Sequence, residues 1–262
     1  MTRPNSLTLL NTRPRHQAQA LNALLQQHGF QVLNCPALRI VPLPLPSSAI
    51  KDWAQFDKVF FISQNSVRYL IEQWQLIKGC NPVFNHPQTG YAIGQATYKA
   101  MRLQQWPVQP MMPGKAFITE SLLERPELQD LKSQKCLIIK GESGREDLAN
   151  GLRQAGAGVT EWDLYQRQPM PLCDDAWEVF EKTRYPVVLA TSLGSIEALQ
   201  QALSDKKNSQ AWLILQPLIV FSDRIKAQLQ HQGWQGSIYV VAEQSNQGIL
   251  SAMQQIQQED SA

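Results

Sequence analysis

The sequence predicts an α/β protein made of two doubly wound lobes, each built on a parallel sheet, with the first lobe discontinuous. Three observations lead to this fold class. Short apolar runs alternate with helical patterns along the chain, as in parallel sheets covered by helices. Prolines hold two stretches extended, residues 36–46 and 159–171. The length of 262 residues suffices for two ordinary domains.

The two proline-rich stretches set the predicted domain boundaries. The expected division is a lobe from 1–37 plus 171–262, an inserted lobe at 43–164, and linker strands at 38–42 and 165–170 that form a two-stranded connection. A protein with two lobes usually has its cleft at the hinge. Tyr165, on the returning linker, is therefore expected beside that cleft.

The first lobe opens on a predicted β-α-β unit. Residues 7–11 form an apolar strand, and Pro14 suits the first turn of the following helix, where its missing N–H costs nothing. One face of this helix is apolar, and Gly29 ends it. Residues 30–33 form the second strand, so the two strands are expected to be parallel.

The remaining elements continue the same alternation in both lobes. Predicted strands are residues 58–62, 90–93 and 136–139 and a strand from Val159, followed after the second linker by 187–190, 218–221 and 238–241. Predicted helices follow Ser63, Gly94, Ser192 and Ser222, with others at 119–123, before Gly156 and at 247–257. These strands are continuous apolar runs, as expected for sheets buried on both faces.

Composition argues against several classes of function. The net charge is +2 with Lys and Arg scattered, so no basic stripe for nucleic acid is present. No apolar run approaches the roughly 18 residues of a membrane span, and we expect a cytoplasmic protein without a secretory leader. The four cysteines and four histidines lack ligand spacing, so free thiols and no metal or other cofactor are expected.

One strand-to-helix corner recurs in both lobes. Ser63-Gln-Asn-Ser66 and Ser192-Leu-Gly-Ser195 each follow an apolar strand, and Ser222 and Gly94-Gln-Ala-Thr97 stand at similar corners. Such corners line the ligand crevice of open α/β sheets and expose helix N–H groups to anions. Alternatively, each hydroxyl only caps its helix, a contribution of about 1 kcal/mol. The repetition of the corner favours a site for a ligand with several negative groups.

Three weaker motifs carry less information. Gly156-Ala-Gly158 ends a helix and lacks the third glycine of a dinucleotide fingerprint. Gly141-Glu-Ser-Gly144 lacks the end of a P-loop, although it could form an anion nest. Glu146 and Asp147 suit the first turn of a helix better than an acid–base pair.

Taken together, these corners resemble the uroporphyrinogen-III synthase family, in particular its proteobacterial branch. The matching residues span nearly the whole chain: Thr12-Arg13-Pro14, Pro36, Ser63-x-Asn65-Ser66-Val67, Ile93-Gly94-x-x-Thr97, Lys140-Gly141 with Arg145 and Leu148, Gly156-Ala157-x-Val159, Tyr165 with Arg167, Thr191-Ser192, Ser222-x-Arg224 and Ala242. Some relatives carry a second Gly-x-x-Thr near the C-terminus, where this chain has Ser222-Asp-Arg224.

The resemblance implies a reaction and its residues. The family cyclises hydroxymethylbilane, a linear tetrapyrrole with many carboxylates, to uroporphyrinogen III with inversion of ring D and loss of water. It implies Tyr165 as the proton donor for the departing hydroxyl. The implied substrate-binding residues are Arg13, Ser63, Ser66, Thr97, Gly141, Thr191, Ser192, Ser195 and Ser222. A cofactor-free monomer supplied by hydroxymethylbilane synthase is also implied.

Two other classes of protein remain as alternatives. A two-lobed cytoplasmic protein that binds or senses small anions would share this lobe arrangement, although no effector segment is evident. A nucleotide-dependent enzyme would need a phosphate loop, which the sequence lacks. Separation of the isomers formed from hydroxymethylbilane distinguishes these alternatives from the synthase.

Overall fold

The computed structural model describes residues 7–110, 119–142 and 146–259. The chain divides into two compact units. Unit 1 comprises Met1–Arg39 and Gln168–Ala262, and unit 2 comprises Ile40–Arg167. Each unit contains a five-stranded sheet, which confirms the predicted α/β class with a discontinuous first lobe. None of the helices in the described residues combines the length and apolar character needed to cross a bilayer.

Unit 1 contains five strands and six helices among its described residues. In chain order they are β1 (Thr8–Asn11), α1 (Arg15–Gln27), β2 (Gln31–Asn34), then α7 (Asp174–Glu181), β8 (Pro186–Ala190), α8 (Leu193–Ala202), α9 (Lys207–Leu213), β9 (Leu218–Val220), α10 (Asp223–His231), β10 (Ile238–Val240) and α11 (Asn246–Glu259). The sheet order is β10-β9-β8-β1-β2, and every paired register is parallel. The carboxyl ends of all five strands therefore lie at one edge.

Helices cover both faces of this sheet, as its continuous apolar strands require. On one face, Leu10 and Val188 pack with Trp177 and Phe180 of α7 and with residues of α8 and α10. On the other, Leu9 packs with residues of α1 and α11. Successive strand residues point to opposite faces, so β1 and β8 are buried on both sides.

Unit 2 repeats this architecture. Its elements are β3 (Leu38–Pro42), α2 (Ala49–Asp52), β4 (Lys58–Phe61), α3 (Gln64–Lys78), β5 (Thr89–Ala92), α4 (Gln95–Leu103), α5 (Thr119–Leu123), β6 (Lys135–Gly141), α6 (Asp147–Gln154) and β7 (Gly158–Pro169), where β3 and β7 run into unit 1, with short 3-10 helices at Trp53–Gln55 and Pro126–Leu128. The sheet order is β3-β7-β6-β4-β5. The pairs β4–β5, β4–β6 and β6–β7 are parallel, so the carboxyl ends of β4, β5 and β6 share an edge.

The core of unit 2 is rich in aromatic side chains. Trp53 makes edge-to-face contacts with Trp74 and Phe84, with ring centroids 5.3 Å apart in each pair. Phe56 meets Trp162 of β7 in the same way at 5.7 Å. Such pairs add about 0.5–1.5 kcal/mol each to the burial of the rings. The returning strand is thus packed into the core of unit 2, as its apolar residues require.

Strand β7 contains an irregularity that determines where Tyr165 lies. Lys140 pairs with Asp163, but the next residue, Gly141, pairs with Tyr165, so the register shifts by one between these two pairs. Leu164 is the extra residue, as in a β-bulge. A bulge re-aims the side chains that follow it, and here it sets Tyr165 directly opposite Gly141.

Two helices of unit 1 were absent from the sequence prediction. Residues 174–181 form α7, where the sequence analysis assigned no element between the second linker and the strand at 187–190. Asp174 and Asp175 stand in its first turn, where negative charge favours the helix dipole, and Trp177 and Phe180 are buried on one face. The second is α9, a short helix with only Ser209 and Leu213 buried, too short to show a clear period.

Candidate active site

The Ser-x-x-Ser corner of unit 2 is a reciprocal capping box at the head of α3. Ser63 is the N-cap in an extended conformation, and its Oγ accepts a hydrogen bond from Ser66 N–H at 3.2 Å. Ser66 Oγ lies 3.3 Å from Ser63 N and donates to Ser63 O at 2.5 Å. The prediction that Ser63 caps this helix is confirmed.

Unit 1 contains the same box at the head of α8. Ser192 is the N-cap, its Oγ accepts from Ser195 N–H at 3.3 Å, and Ser195 Oγ donates to Ser192 O at 2.6 Å. The Ser-x-x-Ser pattern that the two units share therefore forms the same hydrogen bonds in both. In both boxes the third-position serine is buried, so its hydroxyl serves the corner, and the N–H groups of the first helical turn are what an anion would meet.

The other predicted corners are helix starts as well. Ser222 caps α10 by accepting from Ile225 N–H at 3.4 Å. Gly94 begins α4 with φ of 88°, a left-handed conformation that favours glycine, and Thr97 is buried within that helix. Thr191 is half-buried directly before the Ser192 cap. Each of these positions follows the carboxyl end of a parallel strand in its own sheet.

A further corner follows β10 and was missed by the sequence prediction. Gly248 N–H donates to Ser245 Oγ at 3.1 Å at the head of α11. A Cβ on Gly248 would collide with the carbonyl group of Glu243, so the residue must be glycine for the chain to turn here. The signal was a serine three residues before a glycine, in place of the Ser-x-x-Ser of the other corners.

Arg13 lies at the same edge of the unit 1 sheet, directly after β1. Its N–H donates to Asn11 Oδ1 at 3.1 Å, and its guanidinium Nη1 donates to Asn246 Oδ1 at 2.8 Å. Its Nε is buried and has no acceptor among the described residues. Burial lowers the pKa of the guanidinium, which remains cationic.

Among the predicted site residues in the described part of unit 2, Tyr165 and Ser63 are the one pair with a hydrogen bond directly from side chain to side chain. The phenol Oη lies 2.7 Å from Ser63 Oγ. The ring is buried and stacks on Tyr69 with centroids 5.7 Å apart and planes 28° apart. Tyr69 Oη in turn donates to Ile40 O at 3.1 Å. The phenol is thereby held at the head of α3.

Gly141 provides the space that the Tyr165 ring occupies. A Cβ built on Gly141 would lie 2.7 Å from Cζ of Tyr165 and 2.8 Å from its Cδ2, well inside van der Waals contact. Tyr165 O also accepts from Glu142 N–H at 2.8 Å. The structure therefore gives Gly141 a packing role beside the tyrosine. The remainder of the suggested anion nest, Ser143 and Gly144, lies outside the described residues.

Lys140 is engaged in ion pairs within unit 2. Its Nζ lies 3.0 Å from Glu161 and 3.6 Å from Asp163, and Arg153 pairs with Glu161 at 2.8 Å. Burial, the largest single effect, would lower the pKa of Lys140, but the hydrogen bonds and negative charges of Glu161 and Asp163 together outweigh it and leave the pKa raised. The positive charge of this lysine is thus balanced by carboxylates of the neighbouring strand, β7. Arg145, which also contributed to the family resemblance, lies outside the described residues.

Comparison with known proteins places these features in a family. A family model described as "Uroporphyrinogen-III synthase HemD" matches residues 19–251. The chain is 30% identical over 254 residues to the uroporphyrinogen-III synthase of Escherichia coli, covering 95% of this chain and all of that protein. It is 29% identical over 252 residues to that of Salmonella typhimurium, with the same coverage.

Solved structures show the same fold. A mutant uroporphyrinogen III synthase from Thermus thermophilus superposes with a TM-score of 0.63 at 18% identity, covering 97% of this chain and all of that one. The Helicobacter pylori uroporphyrinogen-III synthetase gives 0.61 at 15% identity, covering 97% and 99%. The family match extends over most of both units, and the chain belongs to the uroporphyrinogen-III synthase family.

Proposed function

We propose that this chain cyclises hydroxymethylbilane to uroporphyrinogen III, with inversion of ring D and loss of water, and that Tyr165 supplies the proton for the departing hydroxyl. Cyclisation of hydroxymethylbilane is the known reaction of the family. The observation that carries the proposed mechanism is the 2.7 Å contact between Tyr165 Oη and Ser63 Oγ, at the head of a helix that follows a parallel strand.

The hydrogen bonds at Ser63 suit proton donation by the phenol. Ser63 Oγ accepts from Ser66 N–H, and a serine hydroxyl has one proton of its own to donate. If that proton goes to Tyr165 Oη, the phenol proton is free for the substrate, and the serine stabilises the phenolate that forms. A buried phenolate would otherwise be costly.

The reaction then balances without an added reagent. The phenol proton passes to the substrate hydroxyl, the C–O bond breaks, and water leaves an azafulvenium cation. The substituted carbon of ring D attacks this cation to give a spiro intermediate, which opens and closes again with ring D inverted. The final loss of a proton from the ring system restores the phenol. The chain's own task is to donate one proton and to hold the bilane.

The N-termini of the helices in each unit are suited to bind the carboxylates of the bilane. α3 and α8 each have at least ten residues, and a helix N-terminus carries roughly half a positive charge. We propose that carboxylates bind the first-turn N–H groups after Ser63, Ser192 and Ser222 and beside Thr97 and Thr191. Because backbone groups do the binding, alanine at Thr97, Ser192 or Ser222 should change the rate little.

Isomer choice requires only modest discrimination. The bilane also closes spontaneously, without inversion, to the type I isomer. Favouring one closure 100-fold needs about 2.7 kcal/mol of differential transition-state binding. A few well-placed carboxylate contacts can supply this difference.

The proposed function is tested by the isomer that forms. The protein is incubated with hydroxymethylbilane, the products are oxidised to porphyrins, and the type III and type I isomers are separated. We expect type III to predominate and its rate to scale with protein concentration. A protein that only binds anions would leave type I as the product, and that result would exclude the proposal.

Arg13 and Asn246 give a prediction about substrate affinity. We propose that Arg13 binds a substrate carboxylate, with Asn246 positioning its guanidinium. Asn246→Asp keeps an acceptor for Arg13 and suits the first turn of α11, but its added charge competes with the substrate. KM should rise roughly tenfold or more, in line with a charged hydrogen bond, with kcat little changed.

Asn246→Ala is the matched control, because it removes the contact and leaves Arg13 its charge. The KM of that variant should rise less than the KM of Asn246→Asp. Equal KM values for Asn246→Asp and the unsubstituted protein would show that Arg13 does not meet the substrate.

The domain boundaries also remain a proposal. We propose that residues 1–37 and 171–262 together form one domain and that residues 43–164 form a second. Residues 38–42 and 165–170 would connect them. The boundaries between units 1 and 2, at residues 39–40 and 167–168, lie within these connections. Limited proteolysis should then cut first near 42–46 or 166–172. First cuts inside either sheet would contradict this division.

We further propose a cytoplasmic monomer that receives the bilane from hydroxymethylbilane synthase. The reason is chemical. Free bilane closes spontaneously to the type I isomer, and a short time between the two enzymes limits the amount of bilane lost in this way. Light scattering should give a mass near 29.6 kDa. The type I fraction should fall when the synthase is present in the same tube, and an unchanged fraction would argue against direct supply.

A further inference from the structure

Two cysteines far apart in sequence lie side by side in unit 1. Cys35 follows β2, and Cys173 precedes α7, 138 residues later. The N–H of Cys173 donates to Sγ of Cys35 at 3.2 Å. Both thiols are free. Nothing in the reaction proposed above uses them.

The backbone around both cysteines is anchored by hydrogen bonds. Cys35 N–H donates to Asn11 O at 3.0 Å, and Trp177 N–H donates to Cys173 O at 2.8 Å. Between the two segments, Met170 N–H donates to Ala37 O at 2.9 Å. The contact between Sγ of Cys35 and the backbone N–H of Cys173 is thus held from both sides, and it keeps the two residues adjacent in the folded unit.

The two thiols differ in access to solvent. Cys35 is buried at 1% exposure, whereas Cys173 is half-buried and borders a cavity of about 490 Å³. Arg15, Asn34 and Pro36 line the same cavity. Burial, and then the hydrogen bond to Cys173, raise the pKa of Cys35 to about 12. Cys35 therefore keeps its proton, and Cys173 is the thiol that a small molecule reaches first.

We propose that Cys35 and Cys173 form a dithiol site that small peroxides oxidise to a disulfide. The sulfur of Cys173 attacks one oxygen of hydrogen peroxide as its thiolate, and the departing hydroxide takes up the thiol proton, giving a sulfenic acid and one water. The sulfur of Cys35 then attacks the sulfenic sulfur and gives its proton to the departing hydroxide, forming the S–S bond and a second water. Two thiols and one peroxide thus yield one disulfide and two waters, and the peroxide is the electron acceptor.

The other two cysteines provide internal controls. Cys80 is exposed just after α3, and Cys136 is buried within β6. An exposed single thiol reacts with peroxide but has no partner in its own chain to close a disulfide. Oxidation of the pair should therefore be distinguishable from unspecific oxidation by which cysteine thiols disappear.

The test uses the whole protein in a Cys80→Ser background, which removes crosslinks through the exposed thiol. After treatment with hydrogen peroxide, the protein is denatured and alkylated, and its intact mass and unreduced peptide map are recorded. We expect two of the three remaining thiols to escape alkylation, a peptide joining Cys35 to Cys173, and full recovery on reduction. Cys173→Ser and Cys35→Ser should each abolish the linked peptide.

Three results would overturn the proposal. In the first, Cys35 is still fully alkylated while Cys173 is oxidised to sulfinic acid. In the second, the linked peptide contains Cys136 instead. In the third, all three thiols stay reduced under conditions that oxidise Cys80 in the unsubstituted protein. The peptide map of the Cys80→Ser protein decides among these results without relying on the folding of either pair variant.

Discussion

Gly141→Ala is expected to lower the initial rate of type III formation by about 100-fold. The added methyl group would meet the ring of Tyr165, with Cζ at 2.7 Å, so either the ring or strand β6 must move. Overpacking of this kind typically costs 1–3 kcal/mol of stability. Displacement of a catalytic group by about 1 Å can cost about 100-fold in rate.

Gly158→Ala provides the matched control. Gly158 starts β7, the neighbour of β6, and a Cβ there would lie 3.8 Å from Gln134 O, an ordinary contact. The thermal midpoint and the rate of both variants should be measured together. We expect Gly158→Ala to stay close to the unsubstituted protein, and a Gly141→Ala variant that is equally active would show that the ring position is not critical.

Tyr165→Phe is expected to lower the rate of type III formation by up to about 100-fold, the lower end of general-acid effects. Water or a neighbouring hydroxyl can replace part of the proton donation, which limits the loss. The ring still stacks on Tyr69, and loss of the contact with Ser63 should cost only about 1 kcal/mol. The variant should therefore fold.

Tyr69→Phe is the control for Tyr165→Phe. Tyr69 belongs to the same stacked pair, and its hydroxyl donates to a backbone carbonyl at 3.1 Å, so both variants remove one buried hydroxyl. Only Tyr165→Phe should slow the chemical step. A folded Tyr165→Phe protein with full activity would remove the phenol from the mechanism.

Much of the fold follows from local sequence signals. The strands are continuous apolar runs, and serines that follow β4, β8 and β9 cap helices because a short hydroxyl side chain can accept the N–H of the third helical residue. The prolines around β3 and β7 enforce extended backbone. Helix α7 carried signals of the same kind in Asp174, Asp175, Trp177 and Phe180, but it is short and directly follows a proline-rich stretch.

The arrangement around Tyr165 could not be predicted in this way, because it depends on tertiary register. The resemblance drew attention to Ser63, Gly141 and Tyr165 separately, but their contact depends on a one-residue shift between β6 and β7. Arg13 and Asn246 meet although 233 residues separate them. The pairing of Cys35 with Cys173 is equally non-local. Single-sequence patterns carry no information about such contacts without homologues.

The most direct test of the proposed proton donor is the rate of type III formation by the Ser63→Ala/Tyr165→Phe double variant. If Ser63 acts through the phenol, Ser63→Ala alone should lower the rate by roughly tenfold, the effect of one hydrogen bond. Ser192→Ala, which loses the same capping box in unit 1, should change it little. The double variant should then be no slower than Tyr165→Phe, because residues that act as a unit are not additive. A double variant whose loss equals the product of the two single losses would contradict the coupling of Ser63 to Tyr165.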